Sequence, residues 1–166
     1  MTVAVRHVDG EVYLNCEFLS DETLDDIWDE IQPLIQDHAH ELNILPPEYP
    51  VAPEKEKYQN LERMKLTRLF TMRLAGRLVG YSLYFLNWHM HIPSTRWALQ
   101  DSIYVVPEHR GRRAMAFMLY MEDVLQWEVD VIYRHVNLNQ NYGRTLERMG
   151  YEPIEIGYRK ILRGPR

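Results

Sequence analysis

Three arginines, Arg110, Arg112 and Arg113, crowd around a lone glycine, Gly111, in the stretch from Ile103 to Leu119. The stretch opens with β-branched residues, stops at Pro107, crosses a short basic loop and becomes apolar at helical spacing. A strand that passes through such a loop into a helix leaves backbone N–H groups unpaired at the positive end of the helix dipole. That is a seat for phosphate or pyrophosphate, and guanidinium groups add charge-assisted donors at the same spot. Just upstream stand His89, His91 and Asp101. Two residues apart in an extended segment, the histidines face one way. Imidazole titrates near neutrality, and a partly buried carboxyl is pushed toward that range. Proton transfer is therefore the chemistry open to these three. A metal site from the same residues lacks a fourth ligand.

The body that carries this cluster is acidic. The 166 residues have a net charge of −5, with 46% hydrophobic and 26% charged residues, as in one globular domain spanning 1–166. The arginines are thus a local exception, which favours a small anionic ligand over a long polyanion. Recognition of nucleic acid through Arg110, Arg112, Arg113, Arg134 and Arg144 is disfavoured on that ground. The single cysteine, Cys16, permits no intramolecular disulfide and no zinc spacing, and reads as a small apolar strand residue. No apolar run is long enough for a bilayer and no leader pattern opens the sequence, so a cytoplasmic location is expected.

The elements that must position the cluster follow from periodicity. Residues 1–18 alternate around Asp9-Gly10 and read as an N-terminal strand or hairpin. A first helix, capped by Ser20 or Asp21, carries Leu24, Ile27, Trp28, Ile31, Leu34, Ile35 and His38 at helical spacing. Pro33 should kink or restart it. Four prolines mark 43–53 as an extended loop, and 54–65 reads as a polar helix. Strands at 68–74 and 77–86 meet at a tight turn, Ala75-Gly76. Val79, Tyr81, Leu83 and Phe85 share one face of the second arm by alternation. A strand at 97–106 leads into the basic loop. The helix after it, 113–128, presents Ala114, Phe117, Met118, Met121, Val124 and Leu125 as a core stripe. A strand at 129–136, a short helix at 139–149 stopped by Gly150, and a final strand at 151–162 complete the chain.

This order of elements resembles the GNAT superfamily of N-acetyltransferases. The resemblance runs from about residue 17 to 162. It is strongest at Tyr104-Val105-Val106-Pro107-Glu108-His109-Arg110-Gly111, which looks like the family's fourth strand and pyrophosphate loop. The second strong segment is Asn139 with Leu146 through Tyr151, which looks like its fourth helix with the closing Gly-aromatic pair. More narrowly, His-x-His before the fourth strand resembles a group of phage and prophage acetyltransferases. The resemblance implies an α/β fold of the α+β kind, a largely antiparallel sheet flanked by helices with strands four and five splayed apart. It also implies acetyl-coenzyme A as donor and a primary amine as acceptor.

Under that resemblance the pyrophosphate would sit on the N–H groups of Gly111, Arg112, Arg113, Ala114 and Met115, with Arg110 beside it. The pantetheine arm would pair with the backbone of Ile103 and Val105 like an added strand. Asn139 would bond the donor or cap its helix. The Val105 N–H would stabilise the tetrahedral oxyanion. Arg113 and Met115 stand where the family pattern has small residues. Either the loop shifts by a residue or Arg113 reaches outward to a phosphate.

Acyl transfer to an amine also needs a base and, for the leaving thiolate, an acid. Asp101 is the first candidate base; alternation puts it on the side of Ile103 and Val105. His89 and His91 are the second. Where many relatives carry a tyrosine acid this chain has Leu146, so Tyr142, one turn earlier, is the substitute. His109 and His135 receive no role. The acceptor pocket is expected among the first helix, the Pro-rich loop and 87–95, with Trp28, Tyr49, Trp88, Asp25, Asp29 and Glu48 forming an acidic rim for a cation. The opposing reading is a catalytically silent member of the fold, a phage structural or host-interaction protein. A homodimer is compatible with the sequence and not encoded in it.

Overall fold

The computed structural model describes residues 16–42, 46, 49–138 and 142–162. In chain order the elements are β1 (Cys16–Leu19), α1 (Trp28–Leu42), α2 (Lys55–Arg63), β2 (Thr67–Leu74), β3 (Arg77–Trp88) and β4 (Arg96–Val105). A 3-10 turn (Pro107–His109), α3 (Arg112–Leu125), β5 (Val131–Tyr133) and α4 (Gly143–Arg148) follow. The five strands form one mixed sheet in sequence order. β1 to β4 are antiparallel neighbours, and β5 lies parallel to β4. Ala75 and Gly76 both have positive φ, 50° and 78°, as the two-residue turn joining β2 to β3 requires.

Each face of the sheet buries its own apolar layer. Under α3, Phe18, Phe70, Met72, Tyr84, Phe117 and Met121 form the larger cluster, with buried Cys16 at its edge. Under α1, Leu24, Ile27, Ile31, Leu69, Leu83 and Tyr104 form the other. The helical stripe on α3 lands largely where its spacing puts it, since Phe117, Met118, Met121 and Leu125 are buried. α1 is one helix across Pro33, with no restart there. It begins at Trp28, after a turn in which Asp26 accepts from the Thr23 N–H at 3.0 Å, rather than at Ser20 or Asp21. α4 closes on a Schellman motif at Gly150 (φ 94°). The Tyr151 N–H donates to the Leu146 carbonyl and the Gly150 N–H to Glu147, both at 3.0 Å.

Two bulges overturn the strict alternation of the sequence reading. In β3, Gly80 pairs with Met72 but Leu78 pairs with Arg73, so Val79 is the extra residue. Val79 therefore joins the α3 side, while Tyr81 and Leu83 face α1. In β4, Leu83 pairs with Ser102 and Tyr84 with Gln100, so Asp101 is the extra residue. At the C-terminal end the structure corrects two strands. The strand read at 129–136 shrinks to the three residues of β5, and 151–162 forms none. Beyond Tyr151 that segment is exposed and has no strand beside it among the described residues, so its apolar alternation is unsatisfied. The hairpin read in 1–18 lies outside the described residues up to β1.

Candidate active site

The splay between β4 and β5 is set by register. β5 pairs with β4 at Trp97, Ala98 and Leu99, and the described pairing ends there, while β4 continues to Val105. The Val106 N–H donates across to Val79 of β3 at 2.9 Å. Along an antiparallel ladder successive residues alternate sides, so the N–H groups of Ile103 and Val105 point the other way, into the gap. A strand edge with unpaired donors results, of the kind an extended ligand can join.

At the end of β4 the basic loop begins. Gly111 has φ 77°, and a Cβ there would meet nothing within 4 Å. Helix geometry gives the first-turn N–H groups of α3 no intrahelical acceptor. Met115 escapes that condition, because its N–H bonds the Gly111 carbonyl at 3.0 Å. The seat therefore rests on Gly111, Arg113 and Ala114 rather than reaching Met115. Met115 and Ala114 pack against the α3 core, which takes their bulk away from the loop. The Arg113 charge is felt by Cys16 of β1, and its Nε is buried without a hydrogen-bond partner. An orphaned guanidinium donor, an open glycine and unpaired amides fit a diphosphate with an extended tail.

Arg110 has other partners. Its Nε donates to the Val105 carbonyl at 2.8 Å, its NH1 donates to Glu41 of α1 at 2.6 Å and its NH2 to the second Glu41 oxygen, and its guanidinium lies 5.6 Å from the centre of the Tyr104 ring. The bidentate pair holds the Glu41 carboxyl below its usual range. Arg110 thus ties the loop to α1. Arg134 also leaves the surface cluster, since its side chain is fully buried on Tyr151, Gln100 and Glu122.

The bulge changes where Asp101 faces. It does not share a side with Ile103 and Val105, as strict alternation requires. Instead it lines a cavity of about 240 Å³ between α1, α2 and the sheet, with His38, Tyr58, Tyr81 and Ser102. Because that cavity opens to solvent Asp101 is exposed by area, yet the surrounding walls strip enough water from its carboxyl to raise its pKa. After burial itself, the Asp101 charge also helps to raise the pKa of Tyr58 and Tyr81. His38 is buried, its Nδ1 2.9 Å from the Tyr81 hydroxyl, and burial drops its pKa to about 4. The ring is therefore neutral at pH 7.

His135 is the residue the sequence reading passed over. It lies two residues beyond the end of β5, close enough to Asp101 for its charge to lower that carboxyl's pKa against the larger effect of burial. Only the parallel pairing of β5 could have announced this. The Tyr142 hydroxyl donates to the His135 carbonyl at 2.8 Å, so its proton is already committed. His89 and His91 lie elsewhere, in the turn joining β3 to β4. The His89 Nδ1 accepts from the backbone N–H groups of His91 and Ile92 at 3.2 and 3.1 Å. Arg96, nearer that turn, is already five residues from Asp101, roughly 16 Å of strand. The structure does not bring these histidines to Asp101. Among the described residues no group of three His, Cys, Asp or Glu could hold a metal ion.

The expected acidic rim is likewise not the lining of the cavity. Asp25 is held by Lys55, Lys55 also covers Trp28, and Trp88 is exposed under Arg96 at the far end of the sheet. Neither these nor Tyr49 or Asp29 line it. Glu48 and Asn139 lie outside the described residues.

A splayed sheet beside a basic loop that opens a helix defines the class. The sequence pattern of the Acetyltransferase (GNAT) family matches residues 28–151. The chain belongs to that family and is an acyltransferase of it, with acetyl-coenzyme A as donor. No curated protein matches. Solved structures share the fold. A ribosomal-protein-alanine N-acetyltransferase from Brucella melitensis biovar Abortus 2308 is 20% identical with a TM-score of 0.66, over 90% of this chain and 99% of that one. An aminoglycoside acetyltransferase from an uncultured soil metagenomic sample is 12% identical with a TM-score of 0.71, over 91% and 100%. A predicted acetyltransferase with acetyl-CoA from Clostridium acetobutylicum is 10% identical with a TM-score of 0.64, over 88% and 96%.

Proposed function

We propose that the chain, acting as one domain, acetylates a primary amine by direct attack through a tetrahedral intermediate. When bound, acetyl-coenzyme A supplies an activated acetyl thioester. Gly111, Arg113, Ala114 and Arg112 would hold its diphosphate, and the backbone of Ile103 and Val105 its pantetheine. The ammonium of the acceptor enters the cavity and gives a proton to Asp101. The freed nitrogen bonds to the acetyl carbon, the carbon–sulfur bond breaks, and the second proton that the now cationic nitrogen sheds goes to the leaving thiolate, giving amide and thiol. The Val105 N–H would stabilise the oxyanion, a contribution of about 3 kcal/mol for one such donor in other acyl transferases. His135 relays the proton from Asp101 to solvent. Arg110 and Tyr142 act as positioning residues, for the loop and for the His135 segment.

The observation that carries this reading is the bulge at Asp101. It turns one carboxyl toward the cavity while the next residues of the same strand offer their amides to the gap. The test is thiol release from acetyl-coenzyme A with an amine panel. Wild type should turn over, and Asp101→Asn should lose most of kcat with little change in the KM for acetyl-coenzyme A. An unchanged rate removes Asp101 from the mechanism.

A silent binding module is the second reading, favoured by the ties of Arg110 to Glu41 and of Tyr142 to His135. It predicts acetyl-coenzyme A binding without thiol release for any amine. The His89-x-His91 segment supports a place among phage and prophage acetyltransferases, hence in a host cytoplasm. No described helix is long and apolar enough to cross a membrane. A homodimer belongs to the proposal, because exposed Ile154, Ile156, Tyr158 and Leu162 form apolar surface that a second copy would cover.

A further inference from the structure

We infer that the acceptor is a monoamine on an apolar body, an arylalkylamine or alkylamine, and not a polycation; this rests on the acyl-transfer reading above. The cavity beside Asp101 is walled by Ile31, Ile35, Leu42, Leu69 and Leu83, and among the described residues Asp101 is the one carboxylate in its lining. One carboxylate matches one ammonium. The other polar lining groups are largely spoken for, since His38 and the Tyr81 hydroxyl bond each other. Three carboxylates on or beside the surrounding helices are engaged too. Asp25 pairs with Lys55, Glu41 pairs with Arg110, and Glu62 accepts the Leu24 N–H at 2.9 Å.

A second ammonium pushed into this cavity would lie against leucine and isoleucine with no second counter-charge from the described lining, which burial does not tolerate. Size points the same way. An apolar cavity of about 150 Å³ holds benzene, so the space here, about 240 Å³, takes a ring and a short alkyl arm.

The experiment compares kcat/KM for 2-phenylethylamine and hexylamine with that for spermidine and a lysine-rich peptide, by thiol release from wild type. A second arm follows 2-phenylethylamine binding by thermal shift, without acetyl-coenzyme A, in wild type, Asp101→Asn and Ala39→Trp. Ala39 lines the cavity, and its replacement by tryptophan fills it. The inference expects at least a 10-fold preference for the apolar amines. It also expects saturable 2-phenylethylamine binding that either variant weakens at least 10-fold. Equal or better turnover of spermidine or peptide overturns it while leaving acyl transfer intact. Cavity-dependent binding with no turnover of any amine keeps the ligand class and overturns acyl transfer. Absence of both binding and turnover with the apolar amines overturns the inference.

Discussion

In the proposed reaction Asp101 works only as a carboxylate, and burial lifts its pKa above the ordinary value. A base acts when deprotonated, so kcat/KM should rise as pH climbs through that raised pKa. In Asp101→Asn the rising limb should vanish and kcat fall about 100-fold; a pH–rate profile of both proteins checks this. Tyr142 separates two roles at the same scale. As an anchor through the His135 carbonyl, Tyr142→Phe should cost about 1 kcal/mol of stability and at most a few-fold in kcat. As the thiolate acid it would cost 100-fold or more. His38 supplies a stability test. Its folded pKa of about 4 lies below the ordinary 6.5. Below pH 6.5 the unfolded chain takes the proton and the native state does not, so stability falls toward pH 4 by roughly 3 kcal/mol. Melting of His38→Gln over that range should show a shallower fall. Asp101 stands out in the sequence as a candidate base; the side it faces does not. A bulge leaves no mark in residue type, and one extra residue turns every parity argument downstream of it.

The elements around the loop were more legible than the contacts between them. The strands β2 and β3 with their Ala75-Gly76 turn, most of the stripe on α3 and the Gly150 stop follow from local propensity and appear where the residues put them, whereas the single face read for Val79, Tyr81 and Leu83 is broken by the bulge. The Arg110–Glu41 pair could not be read, because 69 residues separate its partners. Its consequence is testable. If Arg110 acts by tying the loop to α1, Arg110→Ala and Glu41→Gln should raise the KM for acetyl-coenzyme A alike, and the double variant should add nothing. Direct phosphate binding by Arg110 would make its variant much the worse of the two. Stability should move by about 1 kcal/mol at most, because the pair is partly exposed and solvent-screened. The final strand failed as a reading for a physical reason. Alternation at 151–162 specifies a strand only where a neighbouring edge accepts it, and no such edge lies beside it among the described residues.

At the scale of the whole molecule, the exposed apolar run near the C-terminus calls for cover. Light scattering should give twice the mass of one chain, and Ile156→Asp with Tyr158→Asp should return it to one; a wild-type monomer contradicts the dimer. The proposed function divides the labour between the two faces of the sheet: α3 and the gap would serve the donor, α1 and α2 the acceptor, with the Asp101 bulge between. Amide hydrogen exchange with and without acetyl-coenzyme A tests that division most directly. The account predicts new protection at the N–H groups of Ile103, Val105, Arg113 and Ala114, with the α1–α2 cavity wall unchanged. Protection confined to the cavity wall, or none at those four amides, would contradict it.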